Sequence, residues 1–373
     1  MGDNTKIEWA KHPFTGKGAT WNPITGCSLV SEGCRNCYAA QLAGTRLKNH
    51  PSRKGLARQN AAGEWKFTGA VRFNEQWIDQ PLRWKAPRGI FVCAHGDLFH
   101  ENVPDEWIDL VFAVMAMAPQ HLFFVLTKRP ERAREYLAPF DQRRANGLGS
   151  AVIALGYKGP LESLPWPLPN VWLGTSVEDQ ATADARIPHL LSTPAAKRFV
   201  SYEPALGPVD LTRLSMLNIF RIIRAVDSED WPQNHYDALA GKSDIHPVHG
   251  AEPDWASLDW VIAGGESGHH ARPAHPDWFR GARDQCAAAG VPFFFKQWGE
   301  WISIYDRDRD DPDWRNVPRA GDWGRKRALN FRGGQGFHGD KFHMMKRVGK
   351  QADGHLLDGK EHFEMPATQE PSA

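Results

Sequence analysis

The chain has 373 residues, enough for one large domain or two ordinary ones, and its 45 basic and 44 acidic side chains balance, so no global field draws it toward a polyanion. Five cysteines, an odd number, argue against a disulfide framework and for a reducing compartment, so a cytoplasmic location is expected. No run approaches the roughly 18 apolar residues of a membrane span, and the opening MGDNTKIEWAKH lacks the apolar stretch of a secretion signal.

Residues 1–19 read as a polar lead-in, and TWNPI, from 20, as a first short strand. It runs into GCSLVSEGCRNCYA over 26–39, which carries Cys27, Cys34 and Cys37 with six residues between the first pair and two between the second. Three soft ligands in one loop of a reduced protein point to a metal centre. A structural zinc site closes with four ligands, whereas a [4Fe–4S] cluster on three cysteines leaves one iron able to bind something else. On the residues alone, a zinc knuckle completed by a His or Asp stands level with the cluster. CYAAQLAGTRLK, 37–48, has helical composition, and a helix starting there points backbone N–H groups at the thiolates. Cys93 and Cys286 stand alone in apolar or helical surroundings and read as inert thiols.

Residues 49–85 show no sustained periodicity and read as an excursion: a solvated loop, or a substrate-facing lobe with Arg53, Lys54, Arg58 and Lys66 beside Trp65 and Phe67. A pattern then repeats. The apolar runs GIFVCA (89–94), HLFFVL (121–126), VWLG (171–174), KRFVSY (197–202), DWVIAG (259–264) and VPFFFK (291–296) alternate with helical stretches such as PDEWIDLVFAVMAMA, ERAREYL, QATADARIPHLLS and PDWFRGARDQCAAAG. Short, fully apolar strands alternating with amphipathic helices imply a parallel sheet covered on both faces, and seven such strands fit a partial or full (β/α) barrel over 20–300.

Polar residues end each run: Asp97 and His100; Thr127, Lys128 and Arg129; Ser176 and Glu178; Ser201 and Glu203; Glu266 and Ser267; Lys296 and Gln297. In a parallel barrel all these ends open on one face, where active sites are built. Taken singly, each has a plainer explanation: Ser176 or Asp179 as a helix cap, Glu203 before Pro204 as a turn residue. Three insertions are expected to interrupt the barrel: the excursion at 49–85, a Gly- and Pro-rich surface excursion at 139–169 and a small subdomain at 213–257. Residues 301–366 read as an extension that begins with the charge-dense RDRDDPDWR and ends in a β-hairpin around ADGHLLDG, and 367–373 as a disordered tail.

The cysteine loop, with Tyr38 beside its last cysteine, resembles radical S-adenosylmethionine (SAM) enzymes. Together with LTKRPER, WLGTSVEDQATADARI, RFVSYEPALGPVDL, VIAGGESG and PFFFKQWGEW it resembles a narrower group, the phage-type three-Cys-motif family of radical-SAM-like proteins, from about Thr20 to Gly299. The resemblance implies a [4Fe–4S] cluster on Cys27, Cys34 and Cys37, and SAM cleaved to a 5′-deoxyadenosyl radical with an electron from a flavodoxin- or ferredoxin-like donor. It further implies that strand ends hold SAM. Glu178 with Ser176 suits the ribose diol, Asp97 the ammonium group, and Lys128 or Arg129 the carboxylate. Gly264 and Gly265 permit close approach of adenine or substrate, with Ser201 and Glu266 at neighbouring ends. Lys296 is placed for a substrate phosphate or proton transfer, or equally for an ion pair with Glu203 or Glu266. Tyr38 packs on the cluster or takes part in hydrogen-atom transfer. The phage-type setting and the Trp-, Lys- and Arg-rich insertions suggest modification or repair of a nucleic acid. Two other readings stand beside this one: a zinc-stabilised nucleic-acid-binding protein without turnover, and a hydrolase using Glu178, Glu203 and Glu266.

Overall fold

The apolar runs form strands because each is buried on both faces, so that alternation is absent and backbone pairing decides the structure. In β8 all seven residues are buried, and in β7 all but one. The computed structural model describes residues 4–138, 142–159, 164–215, 235–243, 256–308, 326–336, 341–349 and 354–368. In chain order its elements are β1 (Gly18–Trp21), β2 (Ile24–Thr25), α1 (Tyr38–Gly44), β3 (Ala57–Gln59), β4 (Trp65–Phe67), β5 (Arg72–Phe73), α2 (Gln80–Arg83), β6 (Gly89–Val92), α3 (Asp105–Ala116), β7 (Leu122–Thr127), α4 (Pro130–Leu137) and α5 (Gln142–Ala154). There follow β8 (Val171–Val177), α6 (Gln180–Leu191), β9 (Lys197–Tyr202), β10 (Leu214–Ser215), β11 (His235–Asp237), β12 (Lys242–Ser243), β13 (Trp260–Gly264), α7 (Pro276–Ala289), β14 (Phe293–Gln297), β15 (Trp301–Asp308), β16 (Lys326–Asn330) and β17 (Lys341–Arg347).

Seven strands make one sheet in the order β1-β6-β7-β8-β9-β13-β14. Strand order follows chain order with no reversal, unlike a doubly wound sheet. The α/β class and the seven expected strands are therefore present, in an arrangement compatible with a partial (β/α) barrel. β1 and β14 end the order, so the sheet is open and the full barrel is not formed among the described strands.

The chain divides into two compact units, 1–176 with 186–199 and 367–373, and 177–185 with 200–366. In the first, β1 pairs in parallel with β6 from Gly18↔Gly89 to Trp21↔Val92, and β6 and β8 flank β7. α3 begins after Pro104, carries Asp105 and Glu106 in its first turn, and buries Ile108, Val111, Phe112 and Met115 at helical spacing. α5 corrects the expectation of a mere surface excursion at 139–169. Gly147 of α5 lies against the Asp109 carboxylate of α3, where a Cβ would come within 2.4 Å of Oδ2. The excursion at 49–85 lies outside the seven-stranded sheet but is ordered. β3 and β4 form a hairpin, β2 pairs with β5, and Leu56 and Phe67 pack into one apolar cluster with Ala39, Ala40 and Ala43 of α1. Trp65 lies flat on Gly44 of α1, where a side chain would meet its ring. No Trp among the described residues is fully exposed.

In the second unit β13 and β14 pair in parallel from Val261↔Phe293. α7 is capped at its start by His275 and ends on left-handed Gly290. The expected hairpin over 343–366 is not formed as such. β17 pairs antiparallel with β15 and β16, while the 357–364 segment runs beside β14, with Phe295 N–H donating to the His362 carbonyl at 2.7 Å. An edge strand presents unpaired backbone groups, and this segment covers those of β14. β10, β11 and β12 form a small antiparallel sheet in the 213–257 insertion. The rest of that insertion, most of RDRDDPDWR and the tail from 369 lie outside the described residues.

Gly265 has no room for a side chain, since a Cβ there would lie 1.8 Å from the Trp298 carbonyl oxygen, whereas Gly281 inside α7 has only the Gln285 amide at 3.9 Å. Gly265→Ala is expected to lower the urea midpoint by the equivalent of about 1–3 kcal/mol or more, and Gly281→Ala to raise it by about 0.5–1 kcal/mol.

Candidate functional site

Cys27 and Cys37 rest on the apolar cluster of Ala39, Ala40, Ala43, Leu56 and Phe67. α1 begins directly after Cys37, so the N–H groups of Ala39 and Ala40 face its sulfur, as expected from the sequence. Cys34 is one turn earlier, with its carbonyl accepting from Cys37 N–H at 3.3 Å. All three are half-buried free thiols. Burial pushes Cys27 up to about 12, helped by the Asp97 carboxylate and opposed by Arg129. Burial also raises Cys37, against the pull of the Ala40 and Ala39 N–H groups. Among the described residues the three sulfurs are not gathered within 4.8 Å of one another. A single tetrahedral zinc, with bonds of about 2.3 Å, would need sulfurs about 4 Å apart.

Asp97 follows β6 and is 4% exposed. Its Oδ1 accepts from Thr127 Oγ1 at 2.7 Å and Phe99 N at 3.0 Å; its Oδ2 accepts from Lys128 N at 3.1 Å and Arg129 Nη1 at 3.2 Å. Four donors fill a carboxylate, so Asp97 has no capacity left for the ammonium group of SAM and acts as a positioning residue. It holds Arg129, whose guanidinium spreads over the cysteine loop. Nη1 donates to Cys27 Sγ at 3.5 Å, Nη2 to Ser28 Oγ at 2.6 Å and Nε to Glu101 Oε2 at 2.7 Å. Ser28 Oγ in turn donates to Glu101 Oε1 at 2.9 Å and meets buried His100 Nε2 at 3.0 Å. Some burial opposes it, but the backbone N–H of Glu101, Arg129 and Ser28 pull the Glu101 carboxyl down to about 2. The Lys128 ammonium adds positive field at Cys37.

Tyr38 is 53% exposed, donates its hydroxyl to the Ala94 carbonyl at 2.5 Å and stands edge-on to His95. These contacts favour packing over hydrogen transfer. Behind it Arg53, expected as a surface cation, is buried with its Nε 3.5 Å from His95 Nδ1. Burial first, then Arg53, pushes His95 down to about 4, leaving it neutral.

The remaining candidates have partners of their own. Ser176 is buried, and its carbonyl accepts from Arg186 Nη1 at 2.8 Å. In the second unit Glu178 is buried and its carbonyl accepts from the N–H groups of Leu206 and Gly207. Asp179 Oδ1 accepts from Thr182 N at 2.9 Å, capping α6 as the plainer explanation holds. Lys296 Nζ binds both oxygens of Glu203, at 2.6 and 2.9 Å, which is the ion pair set against a substrate role. Glu266 is filled by Arg272, through N at 2.8 Å, Nε at 2.9 Å and Nη2 at 2.7 Å. The close approach that Gly265 permits is to Trp298, and Gly264 lies against the Glu203 carboxyl. Ser201 is buried in β9. Thus the carboxylates proposed for a hydrolase include two already paired with cations. Arg272, Ser28 and Glu101 carry no sequence signal, since each finds its role only through folding, whereas His100 was expected at a strand end and Arg53 in the 49–85 lobe.

Fold and site together define an α/β protein on a seven-stranded parallel sheet, with a three-cysteine loop braced by a buried Asp–Arg pair. The chain belongs to the family described as "Protein of unknown function (DUF5131)", whose model matches residues 4–366. No curated protein and no solved structure matches it. The family description carries no activity, cofactor or partner, and no evidence for radical-SAM chemistry comes with it. Among the described residues no helix is long and apolar enough to cross a membrane.

Arg129→Ala leaves the Asp97 charge buried without its counter-ion and is expected to cost about 3–5 kcal/mol in chemical denaturation, with Asp97→Asn added in the same chain recovering part of the loss. Because Glu101 titrates lower when folded, its contribution is fully present above the ordinary 4.5 and is lost as pH falls toward about 2. Glu101→Gln should therefore flatten that acid limb, by a small amount that salt reduces further, since the side chain is 58% exposed.

Proposed function

We propose that this chain is a radical-SAM-like enzyme that holds a [4Fe–4S] cluster on Cys27, Cys34 and Cys37. The observation that carries the reading is the cysteine loop itself: three thiols, Cys27 and Cys37 of them on an apolar bed, with the Arg129 guanidinium against Cys27. When bound, the cluster supplies the single electron that cleaves SAM reductively.

The chain's own residues have separable tasks. Ala39, Ala40, Ala43, Leu56 and Phe67 keep water from one side of the sulfurs. The N–H groups of Ala39 and Ala40 and the Arg129 guanidinium offset thiolate charge once the sulfurs ionise. Asp97, Ser28, His100 and Glu101 fix Arg129 and the loop backbone. Lys128 is the cation we assign to the SAM carboxylate, and Ser176 stays assigned to its ribose. Tyr38 walls the site. Glu203 and Lys296 form an acid–base couple suited to moving a proton or meeting a substrate phosphate. The electron donor is proposed to be of flavodoxin or ferredoxin type. A nucleic-acid substrate draws its remaining support from exposed Arg46, Lys48, Lys54 and Arg58, and none from stacked tryptophans. The competing zinc-stabilised binding protein is disfavoured by the sulfur spacing.

Protein purified without oxygen and reconstituted with iron and sulfide should show broad visible absorption and, with SAM and dithionite, form 5′-deoxyadenosine. Cys27→Ala, Cys34→Ala and Cys37→Ala should each abolish both signals, and Cys286→Ala neither. Stoichiometric zinc without iron, or an intact cluster in the three loop variants, sinks the reading.

A further inference from the structure

A second group of ligand atoms lies in the unit formed by 177–185 and 200–366, built by the start of α7 and the middle of β17. His275 is the residue before α7, and its Nδ1 accepts from Asp277 N–H at 3.2 Å. Asp277 sits in the first turn of the helix, and His343 on β17 brings its ring edge-on to that of His275, with centroids 4.4 Å apart. One ring nitrogen from each histidine and one carboxylate oxygen of Asp277 all lie within 4.8 Å of one another. His275 is 0% and His343 1% exposed.

Two observations point to a ligand here. Asp277 Oδ2 stands 4.0 Å from His275 Nδ1 and 3.8 Å from His343 Nε2, too far for hydrogen bonds but close enough for one ion to bridge after a small contraction in which the ion replaces the Asp277 N–H at Nδ1. The outer atoms are fixed. Arg280 Nη1 donates to Asp277 Oδ1 at 2.8 Å, and Ser303 Oγ meets His343 Nδ1 at 3.0 Å. Metal-binding histidines and carboxylates are usually held from behind in this way. Arg280 pairs in turn with Asp358 at 2.9 Å, a carboxylate that Arg283 shares.

We propose that His275, Asp277 and His343 bind one divalent transition-metal ion, with zinc the best match. Two imidazoles and one carboxylate suit zinc, whereas calcium and magnesium take oxygen ligands. Ligation needs neutral imidazole. Three protein ligands leave a fourth position for water. The ion ties the N-terminus of α7 to the antiparallel sheet of β15, β17 and β16, a junction that the sequence makes between residues far apart in the chain. The site owes nothing to the cysteine loop, and its test is arranged to be independent of it.

The full chain carrying Cys27→Ser, Cys34→Ser and Cys37→Ser removes the competing thiols. After incubation with zinc and gel filtration it should retain about one equivalent by elemental analysis, and its thermal midpoint should rise with zinc and fall with a chelator. Adding Asp277→Asn or His343→Gln should weaken zinc binding by about tenfold or more and remove the rise in midpoint. Cobalt in place of zinc should give visible ligand-field absorption without a thiolate charge-transfer band. That spectrum, read on the chain with its histidines intact, serves if either added variant fails to fold. No zinc retained above background, or equal retention in the Asp277 and His343 variants, overturns the proposal.

Discussion

The cysteine loop depends on one buried ion pair, Asp97 with Arg129. Taking a carboxylate out of water costs several kcal/mol unless its oxygens are filled, and here donors from two successive strand ends fill them. The loop after β6 and the exit of β7 are thereby held to each other. The direction of the Arg129 side chain follows: with Nη1 committed to Asp97, its other nitrogens can reach only Ser28 and Glu101, which pins the backbone beside Cys27. Burial raises the Cys27 and Cys93 thiols, Asp97 adds to it at both, and Arg129 opposes it at Cys27, so the pair that positions the first cysteine also modulates its charge.

The second unit meets the same physical demand with different partners. Glu266 is closed by Arg272 six residues on, and Glu203 by Lys296 from the next strand but one. A polar residue at the end of a parallel strand is thus not automatically a ligand for substrate. The end of a buried strand is where side chains leave the apolar core, and a carboxylate there first has to find protein donors. What remains for chemistry is the residue whose pairing is strong but not exhaustive, which describes the Glu203–Lys296 couple better than Asp97 or Glu266.

The strands were legible because two-faced burial writes them as unbroken apolar runs, and α3 and α7 because a 3.6-residue period survives in their sequences. α5 was not, because QRRANGLGS carries poor helix formers, among them Asn146, Gly147 and Gly149, that tertiary packing tolerates: Gly147 is what lets the helix approach Asp109. The aromatics of 49–85 looked like a free stacking surface, yet Trp65 and Phe67 face α1, a choice made by helix and hairpin packing together. Within the site the cysteines are local in sequence and were readable from spacing. Arg129 lies 102 residues from Cys27, and no periodicity connects such a pair. The same holds for His343 and His275, whose junction exists only once β17 pairs between β15 and β16.

The state of the thiols narrows what the loop is built to do. A nucleophilic cysteine needs a lowered pKa, reached beside cations or at a helix start with water near. Cys37 has the helix start and Cys27 has Arg129, yet burial outweighs both and drives each thiol upward. In the chain by itself, then, Cys27 and Cys37 are protonated at neutral pH and poor nucleophiles. A coordinating cation reverses this at once, because it deprotonates the thiol outright, and the N–H groups and guanidinium already in place then stabilise the thiolate instead of failing to create it. Under the proposed reading, donors too weak to ionise a sulfur but well placed to hold it once ionised suit a metal-ligating loop, and an apolar bed penalises the free thiolate.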